Sequence, residues 1–155
     1  MIFSTREDIE APIDYVFAQV SDFASIERSI LRRGAEVQRK QDRDPPAAGM
    51  MWDTAFELKG KRRQMEVTLT TFEPPNTMRF EGVSKNLRGD LVVELVALSR
   101  GRTRVALTCE LTPQTLTARL MLQSLKLARG NVSRRFEMRF ASYAKEMEDK
   151  YVRRA

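Results

Sequence analysis

Hydrophobic and polar positions change period along this chain, and each change marks a predicted element. Residues 2–10 alternate, with Phe3, Thr5, Glu7 and Ile9 on one side, and Ala11-Pro12 ends the run, which predicts a strand. Pro12 suits the first turn of a helix, after which Ile13, Val16, Phe17 and Val20 recur at helical spacing. Ser21 or Asp22 can cap a second short helix that carries Phe23, Ile26 and Ile30 and stops near Gly34. The stretch from Arg32 to Gly49 is polar; it holds a short strand at 35–39 and a turn at Asp44-Pro45-Pro46.

From Met50 the period becomes two. Trp52, Thr54, Phe56 and Leu58 share one face, and Asp53, Glu57 and Lys59 the other. A hairpin turn at Gly60-Lys61 leads to Met65, Val67, Leu69 and Thr71, which alternate with Gln64, Glu66, Thr68 and Thr70. Glu73-Pro74-Pro75-Asn76 interrupts the ladder because proline has no N–H to donate. Met78, Phe80 and Gly82 follow, then a turn at 84–86. Leu91, Val93 and Leu95 come next, then a turn at 99–102, then Val105, Leu107, Cys109 and Leu111. Five successive antiparallel strands are predicted from this region.

After Thr112-Pro113 the spacing is helical to the end, about 40 residues. Ala118, Leu122, Leu125, Val132, Phe136, Phe140, Tyr143 and Met147 fall on one face. Gly130 costs about 1 kcal/mol relative to alanine there, which predicts a kink or break. A sheet with one apolar face and a helix with one apolar stripe bury those surfaces against each other, so the expected class is α+β.

Composition then narrows the chemistry. The chain has 155 residues, 42% hydrophobic and 31% charged, the balance of one globular domain spanning 1–155. No run approaches the roughly 20 apolar residues of a membrane span, and the N-terminus turns polar too early for a signal peptide. A lone Cys109 requires no oxidising compartment, so a cytoplasmic location is the expectation. The absence of histidine removes imidazole bases, Ser-His and Cys-His pairs and His metal ligands, and one cysteine excludes a Cys-based zinc site. Carboxylate metal sites and Asp, Glu, Lys, Arg or Tyr acid-base chemistry stay open, but no particular metal site or cofactor is expected. Neither G-x-G-x-x-G nor a Walker pattern occurs. The net charge of +6 comes wholly from residues 114–155, where 10 basic residues face 4 acids.

The order of elements, with Ala11-Pro12 closing the first strand, Ser21-Asp22 after the first helix, Gly49-x-x-Trp52 opening the third strand and Gly101-x-Thr103-Arg104-Val105 before the last, resembles the START-like (SRPBCC) superfamily. Within it the pattern is similar to the polyketide cyclase/dehydrase and lipid-transport group. The resemblance covers essentially the whole chain, and its specificity lies in the order of the signals. It implies a helix-grip fold: a curved antiparallel sheet of six or seven strands wrapped around a long C-terminal helix, with two short helices after the first strand. It also implies a cavity between sheet and helix, but not one reaction, because the superfamily holds carriers, hormone binders, cyclases and hydrolases.

Several residue sets are candidates for function, each with a structural alternative. Trp52, Phe56, Met65, Val67, Leu69, Met78, Phe80, Leu91, Val93, Leu107, Leu125 and Phe136 would line a ligand cavity or simply pack as core. Arg129 falls at the helical angle of Phe136 and Met147, where a charge must be paired, functional or able to snorkel. Glu7 is its candidate partner inside the cavity, although a distortion at Gly130 that frees Arg129 to solvent is the reading we favour. Leu116, Leu120 and Leu127 form a second apolar face flanked by Arg119, Lys126 and Arg134, suited to an anionic membrane or a homodimer contact. The charges from Glu27 to Asp44 interleave in sign (Arg28, Arg32, Arg33, Arg39, Lys40 and Arg43 with Glu27, Glu36, Asp42 and Asp44) and read as solvated surface. Nucleic acid is not an expected partner, since no binding motif or interleaved aromatics accompany the basic residues. Tyr15, Tyr143 and Tyr151 read as packing residues, and Cys109 as a small core residue.

The leading expectation is non-catalytic binding or carriage of a small hydrophobic molecule: a lipid, isoprenoid or polyketide-like ligand. A cyclase or dehydrase acting on such a ligand without metal or histidine is the second. A membrane-adaptor or protein-interaction module using the basic C-terminal helix is the third.

Overall fold

The computed structural model describes residues 1–58 and 60–154, apart from the side chain of Leu58. The inward assignment of Leu58 and the outward assignment of Lys59 lie outside the described residues. The elements run β1 (Ile2–Ile9), α1 (Ile13–Val20), α2 (Phe23–Arg32), β2 (Glu36–Gln41), β3 (Met51–Leu58), β4 (Lys61–Glu73), β5 (Thr77–Val83), β6 (Leu87–Ser99), β7 (Arg102–Pro113), α3 (Leu116–Leu127) and α4 (Arg129–Arg153). This is the α+β order expected from the change of period.

Local chemistry sets the helix limits. Pro12 stands before α1 with φ −65°, the value its ring fixes and a helix start requires. Asp22 caps α2, its Oδ1 accepting from the Ser25 N–H at 3.2 Å. Gly34, at φ +88°, lets the chain leave α2 through a conformation a side chain would oppose.

The strands form one curved antiparallel sheet in the order β1-β7-β6-β5-β4-β3-β2, so the N-terminal strand closes against the last one. Helix α4 packs on β1, α2 on β2, α1 against β6 and β7, and α3 on β7. The main core joins Ile9, Val16, Phe17, Leu69, Met78, Leu95 and Val105 with Phe140, Ala144 and Met147 of α4. Those three helical residues recur at i, i+4 and i+7 and supply the gripped stripe. A second, smaller cluster of Leu87, Leu122 and Leu125 lies under α3, with Met1, Met65, Leu111, Met121 and Val132 packed around it.

Two expectations are corrected. The expected break in the C-terminal helix divides it into α3 and α4, but it lies at Ala128 (φ −101°, ψ 17°) and not at Gly130, which sits within the first turn of α4. The predicted continuous stripe serves two separate cores: Leu122 and Leu125 belong to the small cluster, with Val132 packed against it, while Phe140 and Met147 face the main one. In β4 the alternation slips at a bulge between Leu69 and Thr71, so Phe72 takes the inward place expected of Thr71. Its ring stands 5.4 Å from that of Phe17.

Thr103, fully buried on β7, donates from Oγ1 to the Ala11 carbonyl at 2.8 Å and fixes the strand-to-helix turn. Thr103→Val keeps the shape but leaves that acceptor without its partner, and is expected to cost roughly 1–3 kcal/mol in urea unfolding. An unchanged midpoint would contradict this role.

Candidate functional site

Between the inner face of the sheet and helices α1, α2 and α4 lies a cavity of about 430 Å³. The sheet contributes Val37, Trp52, Thr54, Met65, Val67, Met78, Phe80, Leu91, Val93, Leu107, Cys109 and Leu111, and the helices add Val20, Phe23, Ile26, Glu27, Ile30, Phe140 and Tyr143. Strand alternation explains the wall, since each of these sheet residues belongs to the inward set of its strand. Phe23, Trp52 and Phe80 stack their rings 5.2–6.2 Å apart, largely edge to face, and stiffen one side. Gly82 and Gly89 lie in the far wall. A Cβ on Gly82 would stand 2.5 Å from the Met65 Sδ, so the bare backbone there leaves room for the methionine.

Four polar side chains of the lining, Glu27, Trp52, Thr54 and Tyr143, are already engaged, while Asp90, also on the wall, lies 3.8 Å from the Arg88 Nε. Trp52 donates from Nε1 to Glu27 Oε2 at 2.8 Å, and Arg39 donates to the same oxygen from Nε at 2.9 Å, with its Nη2 in ion-pair contact at 2.8 Å. Thr54 Oγ1 donates to the Met65 carbonyl at 2.8 Å, and Tyr143 donates its hydroxyl proton to the Gln19 carbonyl at 3.2 Å. Among the described residues no buried side-chain nitrogen or oxygen lacks a partner. Burial pushes the Tyr143 phenol up to about 12, with Asp22 and Glu146 adding to the effect. Burial likewise pushes the Cys109 thiol up, with Asp90 second. Neither group is poised to exchange a proton near neutral pH. Among the described residues no group of three or more carboxylate or thiol side chains is placed to hold a metal.

Of the twelve residues expected at a cavity, the structure puts eight on its wall: Trp52, Met65, Val67, Met78, Phe80, Leu91, Val93 and Leu107. The other four lie elsewhere. Leu69 is fully buried beside Met50, tied by backbone bonds at the start of β3. Leu125 belongs to the cluster under α3, because the break at Ala128 directs that helix to a different core. Phe136 packs beside Phe3, ring centres 6.5 Å apart. Phe56 lies farther along β3, in a separate surface groove shared with Met121 and Leu31. Arg129 is exposed and donates from Nη2 to the Ile2 carbonyl at 3.2 Å, and Glu7 is half-buried on β1; neither lines the cavity. The helix start at Arg129 carries the guanidinium outward, in line with the favoured solvent-facing reading, and the alternative Glu7–Arg129 pair does not form.

Glu27 and Arg39 are more than the solvated surface that alternating charge suggests. They bridge α2 and β2 and hold the Trp52 indole. The signal for Glu27 is its spacing, since Phe23, Ile26, Glu27 and Ile30 form one helical face. For Cys109 and Leu111 it is the strand face shared with Leu107.

A curved antiparallel sheet gripping a long helix around an apolar cavity is the START-like helix-grip architecture. The fold is similar to that of the Zhui aromatase/cyclase from Streptomyces sp. R1128, at TM-score 0.71, 12% identity and coverage of 97% of this chain and 95% of that one. A protein from Thermus thermophilus matches at TM-score 0.68 and 17% identity, covering 100% and 99%. A START superfamily protein from Mycobacterium smegmatis matches at 0.56 and 11%, covering 86% and 95%. No curated protein matches by sequence. The family model for polyketide cyclase/dehydrase and lipid transport matches residues 1–148, and the chain belongs to that family.

Because the raised Cys109 pKa leaves little thiolate at neutral pH, alkylation by a small uncharged reagent is expected to run roughly tenfold or more slower than for free cysteine and to accelerate as pH rises. A rate matching free cysteine at pH 7 would contradict the buried wall position.

Proposed function

We propose that this chain binds a small hydrophobic molecule in the sheet–helix cavity and serves as its carrier or receptor. One observation carries the reading: a cavity of about 430 Å³ with largely apolar walls, on which Trp52, Thr54 and Tyr143 bond within the protein. That volume falls within the ~300–1,000 Å³ typical of small-molecule pockets. With those hydrogen bonds already made, the wall offers a ligand chiefly the removal of apolar surface from water, roughly 25 cal/mol per Å². A lipid, isoprenoid or polyketide-like skeleton suits such a wall.

Cyclisation, the activity in the name of the similar Streptomyces protein, needs a group free to take or give a proton at the substrate. Here Tyr143 directs its proton to Gln19, and Glu27 is held by Trp52 and Arg39. These engagements favour carriage over catalysis.

The test is displacement of a fluorescent anilinonaphthalene probe, alongside native mass spectrometry of gently purified protein. Leu91 lies mid-strand between Phe80 and Cys109, so Leu91→Trp is expected to fill the cavity and weaken probe binding about tenfold or more. Gly82→Ala, which forces Met65 to move, is expected to produce a smaller loss. Undiminished affinity in both variants, with circular dichroism unchanged, would overturn the reading.

A further inference from the structure

Helix α3 is apolar on two opposite faces. Its inner face, Ala118, Leu122 and Leu125, is at most 8% exposed. Its outer face, Leu116, Leu120 and Leu127, is 70%, 57% and 93% exposed. At about 100° per residue the three outer leucines fall within an arc of roughly 40°, a single stripe pointing away from the fold. Arg119 and Lys126 run along one side of that stripe, both exposed. Ile2, 49% exposed, adds to the apolar area near the end of α3, where its carbonyl holds Arg129.

Charge decides what this face fits. From Gln114 to Phe136 there are five basic residues, Arg119, Lys126, Arg129, Arg134 and Arg135, and no acidic one. Arg119, Lys126 and Arg129 at the stripe and its end are exposed. A second copy meeting the stripe about a twofold axis would bring these cations against their own equivalents with no carboxylate on the segment to offset them. A surface of negative charge over an apolar interior satisfies both features together: the leucines enter the acyl boundary and the cations meet the headgroups. No described helix is long and apolar enough to cross a membrane, so the contact is one of lying on the surface.

We infer that α3 docks this protein on anionic lipid bilayers, with Leu116, Leu120 and Leu127 inserted and Arg119 and Lys126 at headgroup level. The inference stands independently of what fills the cavity. It has a consequence for access all the same: the buried side of α3 packs against Met65 and Leu111, which also line the cavity.

The test is co-sedimentation of the full chain with vesicles of phosphatidylcholine, alone or with about one-third phosphatidylserine. Binding is expected only with the anionic lipid, and is expected to fall about tenfold or more as ionic strength rises to about 0.5 M. The triple variant Leu116→Ser, Leu120→Ser, Leu127→Ser is expected to lose binding at least about tenfold while keeping its affinity for the anilinonaphthalene probe. Arg119→Glu with Lys126→Glu, which leaves every leucine in place, is expected to do the same and guards against a folding defect in the triple variant. Equal sedimentation with both vesicle types, or full binding by both variants, would overturn the inference. A dimer that the leucine variant dissociates, with no vesicle binding by the parent chain, would overturn it in favour of a second copy.

Discussion

The middle of the sheet has an apolar inner face that the helices bridge without filling. Helix α4 leans on β1 and α2 on β2, the two edge strands, while α1 reaches the sheet at β6 and β7. Val67, Met78, Phe80, Leu91 and Val93 must still be kept from water, because leaving them wet would forgo the burial that offsets the entropy of folding. The protein meets this constraint by walling them in. Rings of Phe23, Trp52 and Phe80 close one side, Phe140 and Tyr143 of α4 roof the space, and what remains is the cavity. Core and binding site are thus one structure seen from two sides, and the same side chains belong to both.

Much of this is legible in the sequence because period two and period 3.6 are written directly into the order of apolar residues. The strands from Met51 to Pro113 and the caps of α1 and α2 follow from alternation, proline and Asp22. What escapes such a reading is the contribution of distance. Leu69, Leu125 and Phe136 point inward as their spacing says, yet pointing inward does not say which core a residue reaches. Phe72 escapes for another reason: the bulge after Leu69 turns the alternation over by one residue, and no composition signal marks it. Arg129 lies on the inward angle only for a helix that continues through Ala128, and this one does not.

Charged residues err in the opposite direction. An interleaving of signs from Glu27 to Asp44 suggests a featureless solvated surface. Glu27 differs because its helical face also carries Phe23, Ile26 and Ile30, so its carboxylate meets the indole of Trp52 at the cavity wall. Arg39, from the facing strand, then completes the arrangement by neutralising a carboxylate only 23% exposed at its side chain. A polar triad of this kind gives the apolar wall a fixed ring orientation.

The pairing of β1 with β7 bears on how the chain is made. Strand β1 leaves the ribosome before the other strands of the sheet, and its partner is synthesised roughly a hundred residues later, a wait of about 5–20 s at ordinary translation rates. During that interval β1 is a strand without a sheet, open to pairing with the wrong neighbour. Arg6 and Asp8 on its outer face, with Glu10 just past its end, give it charges of both signs, which discourage association with another copy of itself. When β7 arrives, Asp8 finds Arg104 at 2.8 Å and Thr103 takes the Ala11 carbonyl. The residues that keep the nascent strand soluble are therefore among those that lock it in place when the sheet closes.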